Sequence, residues 1–260
     1  MLTDHPVVSE QQWIEARKKL LEREKAFTRE RDALAAARRE LPWVRVETPY
    51  VFDSTQGPVS LADLFGGRSQ LIIQHFMLGP DWEEGCPGCS FGADHVDGAL
   101  VHLEHRDTSF VAVSRAPIEK INAFKQRMGW GFRWVSSFQN TFNYDFHVSF
   151  TPEEAANGSV YYNYTTSPFM IDELPGMSVF YKDEQGRIFH TYSAYARGTE
   201  DVLVTYWCLD MTPKGRDEDE RSMMGWMRHH DRYDDAPKAV ASVTEAATEA
   251  TSSCCSHEKA

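Results

Sequence analysis

LIIQHFMLGPDWEEGCPGCSFGADH, residues 71–95, decides the fold. Its first eight residues form an apolar run of the kind that makes a strand buried in a parallel sheet. A Gly-Pro turn and an acidic loop follow, and Cys86-Pro87-Gly88-Cys89 then leads into SFGADHVDGALVHLEHR, which reads as one helix with its apolar residues on one side. A cysteine at the head of such a helix meets backbone N–H groups that lack intrahelical partners, together with the positive end of the helix dipole. Both favour a thiolate. Cys86 is therefore the candidate nucleophile, and Cys89, one turn on, the thiol that resolves a mixed disulfide. Asp81, Glu83 and Glu84 oppose this wherever their charges face the sulfur. The plain alternative makes both cysteines small residues of a tight turn.

Outward from this unit the pattern alternates. SFVAVSRAP reads as a second buried strand, and IEKINAFKQRMGW as a helix with Ile118, Ile121, Phe124 and Met128 at helical spacing. MSVFYKDEQGRIFHTYSAY reads as a β-hairpin turning near Asp183 to Gly186, and DVLVTYWCLDM as a closing helix. Upstream, VETPYVFDSTQGPVSLADLFGG reads as a strand, a Gly-Pro turn and a short helix closed by Gly66-Gly67. The expectation is an α/β fold, a central mixed sheet flanked by helices.

Residues 1–41 form an amphipathic helical extension. Ser9 and Gln12 make a capping-box pattern, and Trp13, Leu20, Phe27, Leu34 and Leu41 recur every seven residues. The positions that would complete a coiled-coil seam are mostly polar or small, so the stripe is expected to pack on the parent domain or on a partner subunit. Residues 42–235 are the main domain with a C-terminal appendage. Residues 236–260, rich in Ala, Ser, Thr and Glu, are expected to be a disordered tail.

Strand, Cys-x-x-Cys, helix, strand, helix, hairpin, helix is the order of a thioredoxin-like fold with an N-terminal extension. VSLADLFGGRSQLIIQHFM and FVAVSRAPIEKINAFKQRMGWGFRWVSS resemble corresponding regions of peroxiredoxins and related thiol reductases. More closely, QHFMLGPDWEEGCPGCSFGADH, RMGWGFRWVSSF, ELPGMSVFYKDEQGRIFHTYSAYARG and LDMTPKGRDE resemble a bacterial thioredoxin-like family called domain of unknown function 899, over roughly residues 10–235. That resemblance implies the fold and leaves the activity open.

Composition narrows the partners. The 260 residues are 42% hydrophobic and 25% charged, an ordinary globular balance, with a formal net charge of −12. No dense Lys/Arg cluster offsets that charge, which excludes nucleic acid and anionic membrane surfaces as partners and leaves protein thiols, small-molecule thiols or a small organic ligand. No apolar run approaches a membrane span, and the N-terminus lacks the pattern of a secretory signal, so a cytoplasmic protein is expected. Five cysteines, an odd count, do not suggest a secreted disulfide framework.

Thiol–disulfide oxidoreduction is the leading reading, with no cofactor required. A peroxidase is the second, suggested by Cys86-Pro87 and the ten-residue interval from Phe76. Its guanidinium would be Arg115 or Arg197. Peroxiredoxins place Thr or Ser three residues before the cysteine, where this chain has Glu83. A third reading is a copper or zinc site in which His75 or His190 joins Cys86 and Cys89, with His95, His102 and His105 as further candidates. Cys254-Cys255-Ser256-His257 and the pair His229-His230 are two more soft-metal candidates.

Pro175 stands about two residues before the place where thioredoxin-like proteins carry a cis-proline opposite the cysteines. Aligning on the hairpin instead sets Met177 there. Trp82, Trp130 and Trp134 are candidate substrate contacts, the last two in an aromatic-rich stretch, GWGFRWVSSFQNTFNYDFHVSF, that reads either as a pocket lining or as a hydrophobic seam. That seam, like the N-terminal helix, is a candidate homodimer surface. A non-catalytic binding protein that keeps the fold and uses the aromatic surface is the remaining alternative.

Overall fold

Ser9 caps the first helix, α1 (Glu10–Arg39), in the computed structural model, which describes residues 5–168, 171–218 and 224–233. The capping box is complete: the Ser9 hydroxyl accepts the Gln12 N–H and the Gln12 side chain accepts the Ser9 N–H. The helix buries none of its residues, and its sevenfold stripe from Trp13 to Leu41 is 44% to 58% exposed. It meets the body through its C-terminal half, where Phe27 lies 6.2 Å from the Trp207 ring and Arg38 pairs with Asp201 at 3.1 Å.

Then follow β1 (Val44–Arg45), β2 (Val51–Ser54), β3 (Gly57–Ser60), α2 (Leu61–Leu64), β4 (Gln70–His75), α3 (Pro87–Asp97) and α4 (Leu100–His105). The middle of the chain gives β5 (Thr108–Ser114), α5 (Ile118–Met128), β6 (Arg133–Ser136), α6 (Phe142–Asp145) and α7 (Pro152–Ala156). A small ribbon of β7 (Val160–Tyr162) and β8 (Thr165–Ser167) precedes the hairpin of β9 (Gly176–Lys182) and β10 (Ile188–Tyr195), and α8 (Val204–Leu209) is the last α-helix among the described residues.

The main sheet has the order β1-β10-β9-β4-β5-β6-β2-β3. Strand β4 runs parallel to β5 and antiparallel to β9. The run β10-β9-β4-β5 is the thioredoxin-like core: two parallel strands joined by a helix, flanked by an antiparallel hairpin. Alternation along the central strands sends Ile72, Phe76, Phe110 and Ala112 to the face covered by α3 and α5. Leu71, Ile73, Val111 and Val113 go to the opposite face, where they pack with Phe52, Phe65 and Phe142. The cysteine helix α3 thus leaves the end of a strand that is central and buried on both faces.

Three local expectations are corrected. Val51–Ser60 is a hairpin rather than a strand and a turn: Ser54 Oγ accepts the Gln56 N–H, and Gly57, at φ +102°, begins a second strand with Pro58 next in it. That strand is the sheet edge, where proline's missing N–H costs no ladder bond. The helix after Cys86 breaks at Gly98 into α3 and α4, where Asp97 accepts the N–H groups of Gly131 and Phe132 and ties the helix end to the approach to β6. The closing helix is only six residues long, because Ala196–Val202 ahead of it is wound as a 3-10 turn. The expected tail at 236–260, with Cys254, Cys255 and His257, lies outside the described residues. No helix among the described residues is long and apolar enough to cross a membrane.

Candidate functional site

Cys86 is the N-cap of α3 and Pro87 its first residue, a position where proline's fixed φ and missing N–H suit a helix start. The Cys86 N–H is bound to the Met77 carbonyl at 3.0 Å, which pins the loop end to the exit of β4. Gly85, just before it, has no room for a side chain. A Cβ there would stand 2.6 Å from ring atoms of both Phe76 and Phe124. The tight approach sets the cysteine against the core.

The two thiols have opposite characters. Hydrogen bonding from Cys89 lowers the Cys86 pKa to about 6, aided by the backbone N–H groups of Cys89 and Gly88 and opposed by burial. Cys89 is buried, and its pKa is raised by the hydrogen bond it gives Cys86, by desolvation and by the negative charge of the Cys86 thiolate. One proton is shared, and the half-buried outer sulfur is the one that gives it up.

The acidic loop does not oppose this. Glu84 is neutralised by Arg127 at 2.8 Å and by Arg232, while Asp81 and Glu83 are exposed. Alkylation of Cys86 by iodoacetamide is therefore expected to rise with pH through a midpoint near 6, where an ordinary cysteine rises near about 8.5. Peptide mapping separates Cys86 from the exposed Cys208. A Cys86 midpoint in the ordinary range would refute the depressed thiol.

Glu173, which the sequence reading missed, is 1% exposed. Burial raises its pKa to about 8, with Arg115 opposing from 3.7 Å and Ser149 Oγ at 3.4 Å. Its charge in turn raises the pKa of Cys89, which places this carboxyl within electrostatic reach of the inner thiol. The only sequence signal was an acid in DELPG at the entry to a hairpin.

Both cysteines stand in the wall of a cavity of about 320 Å³, with Gln74, Val96, Pro175, Met177, Leu203 and Met224 also in its lining. Gln74 Nε2 donates to the Cys89 carbonyl at 3.0 Å. Arg197 and Glu200 belong to the lining too, paired with each other at 2.8 Å.

Pro175 and Met177 are therefore brought to the cysteines, but no peptide bond among the described residues is cis, so the cis-proline hallmark is not at Pro175. Segment 224–233 folds back over the site. His229 Nε2 donates to the Gly85 carbonyl at 2.8 Å, His230 pairs with Asp94 at 2.7 Å, and Arg127 grips Asp231 at 2.8 Å. The Met224 methyl lies 3.0 Å from where a Cβ on Gly88 would be.

Several candidates are placed elsewhere. Trp130 and Trp134 are core residues, 6% and 4% exposed, with indole N–H groups bound to Asp94 and Ser114. Trp82 packs on the same core, and none of the three lines the cavity. Their large apolar rings are worth more buried than lining a small pocket, so the aromatic-rich stretch is mainly a hydrophobic seam.

Arg115 pairs with Glu173 and stacks 4.7 Å over the Tyr144 ring, while the Arg197 side chain is 75% exposed. Each guanidinium is thus engaged by a glutamate rather than by the thiol. The copper or zinc set does not assemble: no group of three or more His, Cys, Asp or Glu among the described residues could hold an ion. His75 is bound to Ser178 Oγ at 2.8 Å and His190 to Ser193 Oγ at 2.7 Å, and the two serines bond each other. Burial and the nearby His190 lower the His75 pKa to about 3, which keeps it neutral.

A family model described as "Bacterial protein of unknown function (DUF899)" matches residues 2–233. No curated protein matches the chain. Among solved structures, peroxidoxin BcpB from Mycobacterium tuberculosis is 15% identical over 64% of this chain and 95% of its own, with a TM-score of 0.44. Peroxiredoxin Q from Xanthomonas campestris is 14% identical over 69% and 95%, at a TM-score of 0.40. A secreted Mycobacterium tuberculosis disulfide oxidoreductase is 13% identical over 60% and 92%, at 0.34.

Proposed function

We propose that this chain, which belongs to the bacterial DUF899 family, is a dithiol–disulfide oxidoreductase in which Cys86 attacks and Cys89 resolves. The observation that carries the reading is the placement of the pair, with Cys86 the half-buried N-cap of α3, Cys89 buried one turn on and both in a cavity wall, which favours a lowered outer thiol beside a raised inner one. Thiolate attack on a disulfide needs the first, and an inner thiol kept protonated until a mixed disulfide forms is the second. Once the Cys86 sulfur is in a mixed disulfide, the negative charge that raised the Cys89 pKa is gone. Glu173, in its ionised form, would then take the Cys89 proton, and the Cys89 thiolate displaces the leaving group from Cys86. In the reverse direction, the protonated Glu173 returns a proton to Cys89 as an external thiol attacks Cys86.

Two sulfurs and one carboxyl suffice for this chemistry, so it needs no cofactor. A reducing cytoplasm would regenerate the dithiol after each turnover. The peroxidase reading gains less support, since Glu83 is exposed and Arg115 is committed to Glu173.

The test is the intact mass of the protein after equilibration in buffers of graded thiol–disulfide potential, with free thiols trapped and mapped. A reversible two-electron transition at Cys86 and Cys89 is expected. A pair that stays reduced at every cytosolic potential would sink the oxidoreductase.

A further inference from the structure

The cavity beside the dithiol also carries information about what Cys86 attacks. Its wall beyond the two sulfurs is largely hydrocarbon and thioether: Val96, Met177, Val202, Leu203 and Met224. The charges it does carry, Arg197 and Glu200, are already paired with each other. Among the described residues no unpaired cation lines it to meet the carboxylates of an anionic tripeptide disulfide, and a net charge of −12 repels them at long range.

A protein substrate would dock its backbone beside the cysteines by pairing with free N–H and C=O groups. Two of those groups in the cavity wall are occupied. The Tyr162 hydroxyl donates to the Pro175 carbonyl at 2.6 Å and accepts the Ala196 N–H at 2.8 Å. Segment 224–233 is clamped across the active-site loop, with Met224 against Gly88. A volume of about 320 Å³ suits a small molecule.

We propose that the cavity binds the apolar substituent of a neutral low-molecular-weight disulfide, R–S–S–R, and presents its sulfur to Cys86. The inference rests on the oxidoreductase reading. The Cys86 thiolate forms an S–S bond with one sulfur and releases R–S⁻, which takes a proton from solvent. Cys89 loses its proton, attacks Cys86 and releases the second R–S⁻. The disulfide gains two electrons, and the protein ends with a Cys86–Cys89 bond.

The experiment follows one turnover of the prereduced full-length protein with diethyl, dipropyl and dibutyl disulfide, glutathione disulfide and insulin. Each small-molecule rate is divided by that of the same reagent with a free dithiol. The second-order rate is expected to rise roughly fourfold per methylene of R until the cavity is full, the factor for burying one CH₂ group. Glutathione disulfide and insulin should react more slowly than the dialkyl series. Gly92→Ala adds a methyl to the cavity wall at ordinary contact distance, 3.5 Å from Gln74 Nε2 and 3.6 Å from Leu203 Cδ2, and should move the length optimum to a shorter chain. Alanine also favours the helix there, so the variant should fold.

Flat rates along the series, or insulin reacting fastest, would overturn the inference. The dithiol midpoint measured on the same samples separates the two failures. A normal transition with a flat series removes only the substrate class, whereas no transition removes the oxidoreductase and this inference with it.

Discussion

Replacing Cys86 with serine reduces disulfide exchange to the rate of the buffer thiols, and replacing Cys89 with serine leaves a protein that attacks once and stops. The asymmetry follows from the site. Cys86 is the half-buried sulfur with its pKa lowered to about 6, while Cys89 is buried behind it with its pKa raised. A serine hydroxyl at position 86 is not ionised in this pH range and forms no disulfide. In Cys89→Ser the mixed disulfide on Cys86 has no internal thiol to displace it, so intact mass should show one equivalent of reagent retained per chain. The serine hydroxyl still donates to the Cys86 sulfur, so the alkylation midpoint should stay low, whereas Cys89→Ala removes the hydrogen bond that most lowers the Cys86 pKa and should move the midpoint up. Equal turnover by wild type and Cys86→Ser would end the assignment. Mixed disulfide trapped on Cys89 rather than Cys86 would invert it.

Glu173→Gln has the second largest expected effect, and its sign is diagnostic. As a charge, Glu173 raises the Cys89 pKa, so removing it would make the resolving thiol easier to ionise and speed resolution. As a proton acceptor it accelerates resolution, and general-base catalysis contributes roughly 10²–10⁴-fold. We expect the second to win: resolution slows by about that range, and its rise with pH through about 8, the Glu173 pKa, disappears. Faster resolution in the variant would reduce Glu173 to an electrostatic bystander.

Stability gives an independent readout. The carboxyl is raised from 4.5 in the unfolded chain to about 8 in the fold, so between those values the native state holds a proton that the unfolded state has lost. The stability this contributes is complete below pH 4.5 and falls, by roughly 1 kcal/mol per pH unit, until the folded pKa is passed. Glutamine carries no such loss. Relative to wild type, the variant should gain stability as pH rises across that window in urea titrations.

The architecture was legible in the sequence because it rests on local periodicity. The apolar runs at 71–78 and 109–113 became the buried parallel pair β4 and β5. The spacing of Ile118, Ile121, Phe124 and Met128 became α5, and the Asp183–Gly186 turn fell where turn residues gathered. Spacing between two cysteines and the strand before them likewise put Cys86 at a helix N-cap.

The breaks were less visible. Gly57-Pro58 opened a strand instead of closing one, since an edge strand tolerates proline and only the sheet order says which strand is the edge. Trp130 and Trp134 were drawn into the core because a sequence shows that a ring must be buried somewhere, not against what.

By itself the sequence determined most of the elements, the thioredoxin-like order and the place of the candidate nucleophile at a helix N-cap, all properties of neighbours along the chain. The tertiary structure alone decided what surrounds the sulfur. It buried Glu173, 84 positions from Cys89, where desolvation raises its pKa, turned Arg115 toward that carboxyl, gave His75 to Ser178, and drew segment 224–233 over Gly85. Electrostatics in a low-dielectric interior depend on distance and burial through space. Residues far apart in the chain, each unremarkable where it stands, acquire their chemistry only when the sheet brings them together.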